Sequence, residues 1–189
     1  MIMKDKEIKI LNSAIEILLH ADIEHITMDD LAKYTNSSKI TIYKYFNSKD
    51  SLFYAIGMHI IENDILSFAE ITESNLELGK KLELIIKHIT DFTDYRYYDL
   101  CKKISILQSD FQLNLNHYLE KMDQSILRLL KEGQEANYFK ASIDEEILFT
   151  YIKMGIEFYQ NNEAYRNKMI YNLNFREQFL SFFLNNINN

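Results

Sequence analysis

Proline is missing from this chain altogether, and the four glycines, Gly57, Gly79, Gly133 and Gly155, stand far apart. With no proline to break them, long helices can run uninterrupted, and an all-α fold is expected. Isolated glycines also exclude a glycine-rich phosphate loop and a nucleophile elbow. A single cysteine, Cys101, rules out an internal disulfide and suits a reducing compartment; it reads as a small core residue rather than a reactive one. Apolar runs are short as well. No stretch approaches 18 consecutive apolar residues, and the N-terminal MIMKDKEIK lacks the apolar core of a signal peptide, so a soluble, cytoplasmic protein is expected. The five histidines, His20, His25, His59, His88 and His117, are scattered singly. None forms an E-x-x-H, H-E-x-x-H or Cys/His ligand pattern, so the sequence predicts no metal, no cofactor and no enzyme.

Acidic side chains are also missing where it matters. The chain as a whole is acidic, with 21 basic against 28 acidic side chains, which taken alone argues against a nucleic-acid partner. Yet between Lys33 and Lys49 there are four lysines, Lys33, Lys39, Lys44 and Lys49, and no acid. This segment carries plus four and the remainder minus eleven. Such a footprint lets DNA approach from one side only.

The same segment has the local signals of two short helices joined by a tight turn, within TMDDLAKYTNSSKITIYKYFNSKDSL from Thr27 to Leu52. Thr27 can cap the first helix, with Asp30 in the reciprocal position and Asp29 and Asp30 favourable to the helix dipole. That helix should end near Tyr34 or Thr35. Asn36 is the expected pivot, because asparagine tolerates the left-handed conformation that a sharp turn requires. Ser38 then caps a second helix whose Ile42 and Phe46 lie four apart and point inward. Lys39, Thr41, Tyr43 and Lys44 are left on other faces, free to meet DNA.

Thr27, Leu31, Ala32, Ser38, Thr41, Ile42, Tyr43, Tyr45, Phe46, Ser48, Lys49 and Leu52 stand at fixed spacing in a pattern that closely resembles the DNA-binding domain of the TetR family of bacterial transcriptional regulators. The resemblance covers roughly residues 6 to 56. Asn36 stands where glycine is usual, Ser37 where valine is usual, and Asp22 where the preceding loop commonly has glycine. By their matching positions, Thr27, Tyr43, Tyr45 and Lys49 are expected to contact phosphates, with Ser38 serving as both cap and phosphate ligand. Lys39, Thr41 and Lys44 are expected to reach base edges.

Elsewhere the pattern predicts an N-terminal three-helix head, residues 1–47, followed by a larger helical ligand-binding and dimerisation body, residues 48–189. The first helix is expected over about Lys4 to Ala21, with Ile8, Leu11, Ile15 and Leu18 forming its apolar stripe. A long fourth helix opens at Ser48. A fifth runs to about Tyr95, where Asp94–Asp99 (DYRYYD) marks a bend, a sixth spans Leu100 to Ser109 and a seventh Gln112 to Ala136. Ser142 with Glu145, and Asn174 with Glu177, read as capping boxes that open two final helices.

In the resembling family the two C-terminal helices pair with a second copy, which implies a homodimer here, with Ile147, Tyr151, Phe158, Phe175, Phe179, Phe182 and Phe183 at the interface. Pairing would place two recognition helices in successive major grooves of a palindromic operator. The resemblance also implies a small-molecule pocket in the body, and an apolar or aromatic ligand that releases the repressor from DNA. Residues able to line it are Met58, Ile61, Phe92, Tyr95, Tyr98, Phe111, Tyr118, Met122, Tyr151, Met154 and Phe158. A ligand-independent or architectural DNA-binding protein, and an activator of the same fold, stay open as alternatives.

Overall fold

The computed structural model describes residues 5–90 and 92–188, without the side chains at positions 90 and 92–94. Among the described residues all regular structure is helical: α1 Asp5–Leu18, α2 Met28–Tyr34, α3 Lys39–Phe46, α4 Lys49–Thr72, α5 Leu78–Thr90, α6 Phe92–Leu107, α7 Ser109–Glu135, α8 Glu145–Asn161, α9 Glu163–Tyr171 and α10 Leu173–Ile187. The chain divides into two compact units. The first takes in the chain up to Ile65 together with Arg96–Tyr118, and the second Leu66–Tyr95 with Leu119–Asn189. Helices α4, α6 and α7 each supply residues to both. The expected functional boundary after residue 47 falls at the turn between α3 and α4, a different cut from the division by packing.

In the first unit α2 packs against both α1 and α3. α1 buries Ile10, Leu11, Ala14, Ile15 and Leu18; α2 buries Met28 and Leu31; α3 buries Ile42 and Phe46. Helix α4 is held by directed contacts to α1 on the one hand, and to α7 and the residue before it on the other. His59 Nε2 on α4 lies 3.0 Å from Asn12 Oδ1 on α1. Gln108 Nε2 donates to the Asp50 carbonyl at 2.7 Å, Asn114 Nδ2 donates to Tyr54 Oη at 3.2 Å, and the Tyr118 hydroxyl donates to Asp64. Gly57 leaves room for the Phe111 ring, which a Cβ there would strike.

The second unit is built around Phe68, Leu82, Ile85, Ile126, Leu129, Leu130, Phe139, Leu148 and Ile187. Its chain end is fastened to the loop between α7 and α8: Lys140 N donates to the Ile187 carbonyl at 2.8 Å, and Lys140 Nζ to the Asn186 carbonyl at 2.9 Å. Gln134 Nε2 spans the same loop to the Ile143 carbonyl at 2.6 Å.

Helix ends show where local signals suffice and where they mislead. Thr27 and Asp30 form the expected capping box, Ser38 caps α3, and Asn36 takes φ 49°. Asn36 N donates to the Lys33 carbonyl and Ser37 N to the Ala32 carbonyl, a Schellman ending with asparagine in the position that glycine usually fills. α1 stops at Leu18 rather than Ala21, closing in a turn in which Ala21 N donates to the Ile17 carbonyl.

Three expectations for the body are corrected. Asp94–Asp99 is not a bend: α6 runs through it from Phe92, with Asp99 and Lys103 paired one turn apart at 2.7 Å. A polar, aromatic run without glycine or proline has nothing to stop a helix. The cap of α8 is Asp144, which accepts from Glu146 N at 2.8 Å, rather than Ser142. The cap of the last helix is Asn172, accepting from Phe175 N at 3.0 Å, so Asn174 lies inside α10. Ahead of it stands α9, a helix not foreseen, opened by Asn162 accepting from Tyr165 N at 2.9 Å.

Candidate nucleic-acid interface

The recognition element is set up by its caps. The Thr27 hydroxyl accepts from Asp30 N at 3.2 Å, while the Asp30 carboxylate accepts from Thr27 N at 2.9 Å. The Thr27 hydroxyl also donates to Asp30, and these hydrogen bonds hold the Asp30 carboxyl below the usual carboxylate range. At α3, Ser38 Oγ accepts from Thr41 N at 3.1 Å and lies 2.9 Å from Thr41 Oγ1. Ser38 and Thr41 thus fix the first turn of the recognition helix together.

The proposed contact residues all fall between the N-cap of α2 and the first turn of α4. Thr27, Ser38, Lys39, Tyr43 and Lys44 are exposed; Thr41, Tyr45 and Lys49 are half-buried. Tyr45 leans on Phe46 with ring centroids 6.3 Å apart. Lys39 is engaged already: its Nζ lies 2.6 Å from Asp29 Oδ2. At the next helix, Ser48 Oγ accepts from Ser51 N at 3.0 Å, and Lys49 Nζ sits 5.1 Å from the centre of the Phe53 ring. Between them Asn47 has φ 59°, with Ser48 N donating across it to the Phe46 carbonyl at 2.6 Å. That tight reversal sets α3 against the start of α4.

Two side chains escaped the sequence reading. Ile40 on α3 is 82% exposed and Tyr34 at the end of α2 is 60% exposed. Helical periodicity carried the signal for Ile40: two residues from buried Ile42, it lies on the far side of the helix.

The second unit holds an apolar cavity of about 170 Å³. Leu82, Ile85 and Ile89 of α5, Ile126 and Leu129 of α7, Ile156 and Tyr159 of α8, Met169 of α9, and Leu180 and Phe183 of α10 line it. Gly155 borders it with open space where a Cβ would stand. Of the residues named from sequence as pocket lining, Tyr151 is on this wall. Ile61 and Phe111 are buried in the first unit, where Met58, Tyr98 and Tyr118 are half-buried. Tyr95 packs edge-on to Tyr159 and lies under the Arg166 guanidinium, 3.8 Å from its ring centre. Met122 packs on the core of the second unit, whereas Met154 and Phe158 are exposed. The side chain of Phe92 lies outside the described residues.

On α8, Ile147, Tyr151, Met154 and Phe158 follow one another at helical spacing, and all four are more than half exposed. On α10, Phe182 is 74% exposed, Phe179 is exposed, and Phe175 and Phe183 are half-buried. Tyr165 joins the two helices, with its ring 4.9 Å from that of Phe158 and 5.7 Å from that of Phe179. Tyr151 and Phe179 belong both to this exposed surface and to the wall of the cavity.

Among the described residues no group of histidine, cysteine and acidic side chains is placed to hold a metal ion, and no helix is long and apolar enough to cross a membrane. Comparison with known proteins gives the head its identity. Residues 10–56 match the family model described as bacterial regulatory proteins, tetR family. The biofilm operon icaADBC HTH-type negative transcriptional regulator IcaR of Staphylococcus aureus is 23% identical over 145 residues, spanning 76% of this chain and 75% of the relative. A transcriptional regulator of the TetR/AcrR family from Thermobifida fusca YX-ER1 shares the fold at TM-score 0.72, with 19% identity and coverage of 96% and 98% of the two chains. The superantigen PfiT also shares it, at TM-score 0.74 and 17% identity, over 96% of this chain and 95% of that one. Fold alone therefore does not carry function. With its capped recognition helix and the family match at residues 10–56, the head of this chain is a helix-turn-helix DNA-binding domain of the kind found in bacterial regulatory proteins of the tetR family.

Proposed function

We propose that this protein is a homodimeric transcriptional repressor that is released from a palindromic operator when a small apolar or aromatic molecule occupies the cavity of its second unit. The observation that carries the dimer is the exposed apolar surface of α8 and α10, where Ile147, Tyr151, Met154, Phe158 and Phe182 face water. Contiguous apolar surface of this kind is stable when a partner covers it. A twofold partner also supplies a second recognition helix, so that two half-sites about one helical turn apart are read at once. Such a DNA partner places the protein's work in the cytoplasm.

In each protomer, Thr27, Tyr43, Tyr45 and Lys49 position the phosphates, Ser38 caps and contacts them, and Lys39, Thr41 and Lys44 approach base edges. The head, residues 1–47, reads DNA, and the body, residues 48–189, senses ligand and pairs. The cavity wall is almost wholly apolar, with Tyr151, Tyr159 and Tyr165 among its aromatic lining residues, which suits an uncharged ligand. Helix α4 gives release a route: it carries Lys49 in its first turn and ends beyond Phe68, a core residue of the second unit.

Selection from random duplex DNA at about 0.15 M salt tests the reading. Enrichment of a palindrome with half-sites about 10 base pairs apart, centre to centre, supports it; enrichment of a single unrepeated half-site contradicts the dimer. Addition of a neutral hydrophobe such as N-phenylnaphthylamine should displace the selected operator. A probe that fluoresces in the cavity yet leaves operator affinity unchanged favours a ligand-independent regulator.

A further inference from the structure

The face of α3 opposite its buried side is not purely polar. Ile42 and Phe46 are sealed into the head, while Ile40, about 160° round the helix from Ile42, projects into solvent at 82% exposure, more than any other large apolar side chain among the described residues. Its surroundings are polar. Lys44 stands one turn further along the same face, Thr41 is bound to Ser38, and Lys39 is drawn sideways to Asp29 at 2.6 Å. At the first turn of the recognition helix the side chain that points away from the core without a polar partner to satisfy is an isoleucine.

An isoleucine cannot bond to phosphate, and in this position it adds nothing to the core. The major groove offers one apolar feature to such a side chain, the C5 methyl group of thymine. The N-terminal residues of a recognition helix are the ones that reach base edges. A β-branched side chain in a helix is also held near one rotamer, so little freedom is lost when it docks. We infer that Ile40 is a specificity-determining residue that reads a thymine methyl in each operator half-site. The inference rests on the DNA-binding role of α3 and goes beyond it by naming the base.

Uracil tests it, because it pairs like thymine and lacks only the methyl group. On the operator recovered by selection, each thymine is replaced singly by deoxyuridine, and affinity is measured for the full chain and for its Ile40→Ala and Ile40→Val variants. Burial of one methyl-sized group corresponds to about a fourfold change in affinity per half-site, and to about 15-fold when both half-sites are changed. At one thymine per half-site the unaltered protein should lose about that much. Ile40→Ala should bind the thymine operator as weakly as the unaltered protein binds the uracil operator, and should be indifferent to uracil at that position. Ile40→Val should keep most of the discrimination. The side chain is exposed, so melting temperatures should stay the same across the three proteins. Indifference of the unaltered protein to uracil at every position, or equal sensitivity in Ile40→Ala, would overturn the role of Ile40 while leaving the operator reading intact. Failure to enrich any sequence would overturn both.

Discussion

Asn36, Asn47 and Asn137 have φ of 49°, 59° and 54°, while no described glycine has a positive φ. The chain thus makes its left-handed turns with asparagine, whose short polar side chain tolerates that region at modest cost. Asn137 repeats the ending seen at Asn36: its N donates to the Gln134 carbonyl and Tyr138 N to that of Gly133. Asn36→Val should therefore destabilise the head by about 1–3 kcal/mol, with Asn36→Gly near neutral in thermal melts. Thr27→Ala removes a cap and should cost about 1 kcal/mol. Because hydrogen bonds from Thr27 hold Asp30 below its ordinary 3.8, the box is intact above that value and opens as the pH falls through the lowered one. Amide shifts of Met28 to Leu31 followed through an acid titration check this. Burial pushes the Cys101 thiol far up, so alkylation at pH 8 should be negligible until the protein is unfolded. The sequence had already suggested a core cysteine.

At the scale of helices, two glycines make opposite predictions. A Cβ on Gly133 of α7 would strike the Phe139 ring and the Leu78 side chain, and Phe139 is fully buried, so Gly133→Ala should cost about 1–3 kcal/mol. Gly155 of α8 faces open space, so Gly155→Ala should stabilise the helix by about 1 kcal/mol and also narrow the cavity. Higher melting temperature with weaker uptake of a neutral hydrophobe is the expected pair of results. The clasp of α1 on α4 through His59 is pH-sensitive in a definite direction. Desolvation lowers the His59 pKa below 6.5, opposed by the nearby Glu62 carboxylate. The folded state thus prefers the neutral ring, and stability should fall as pH drops through 6.5 and level off below the lowered value. His59→Gln should flatten that stretch of the stability curve.

For the whole molecule, an acidic chain with a plus-four segment at residues 33–49 should bind DNA with strong salt dependence. Lys49→Ala should weaken all duplexes alike and flatten the slope of log affinity against log salt by roughly one unit per chain. Lys39→Ala should instead alter which sequences are preferred, and Asp29→Asn, which frees Lys39, should raise affinity. Charges placed on the α8 stripe, as in Tyr151→Glu with Met154→Glu, should yield monomers in sedimentation equilibrium and a large loss of operator affinity. Both residues are more than half exposed, so the monomer should keep its helical circular dichroism.

The sequence by itself determined the head. Thr27 with Asp30, Asn36, Ser38, and Ile42 with Phe46 act over four residues or fewer, and signals of that range survive without knowledge of the rest of the chain. Only the tertiary structure decided the body. Asp94–Asp99 became helix, Asp144 and Asn172 capped where Ser142 and Asn174 were expected, and α9 emerged from a polar stretch whose Tyr165 and Met169 are covered by neighbouring helices. The aromatic residues sorted themselves in the same way. Phe111 closes over Gly57, Phe139 over Gly133, Phe179 borders a cavity, and Phe182 meets water. Along the chain these four are equivalent apolar residues. Their surroundings come from helices tens of residues away, and burial depends on what those helices bring.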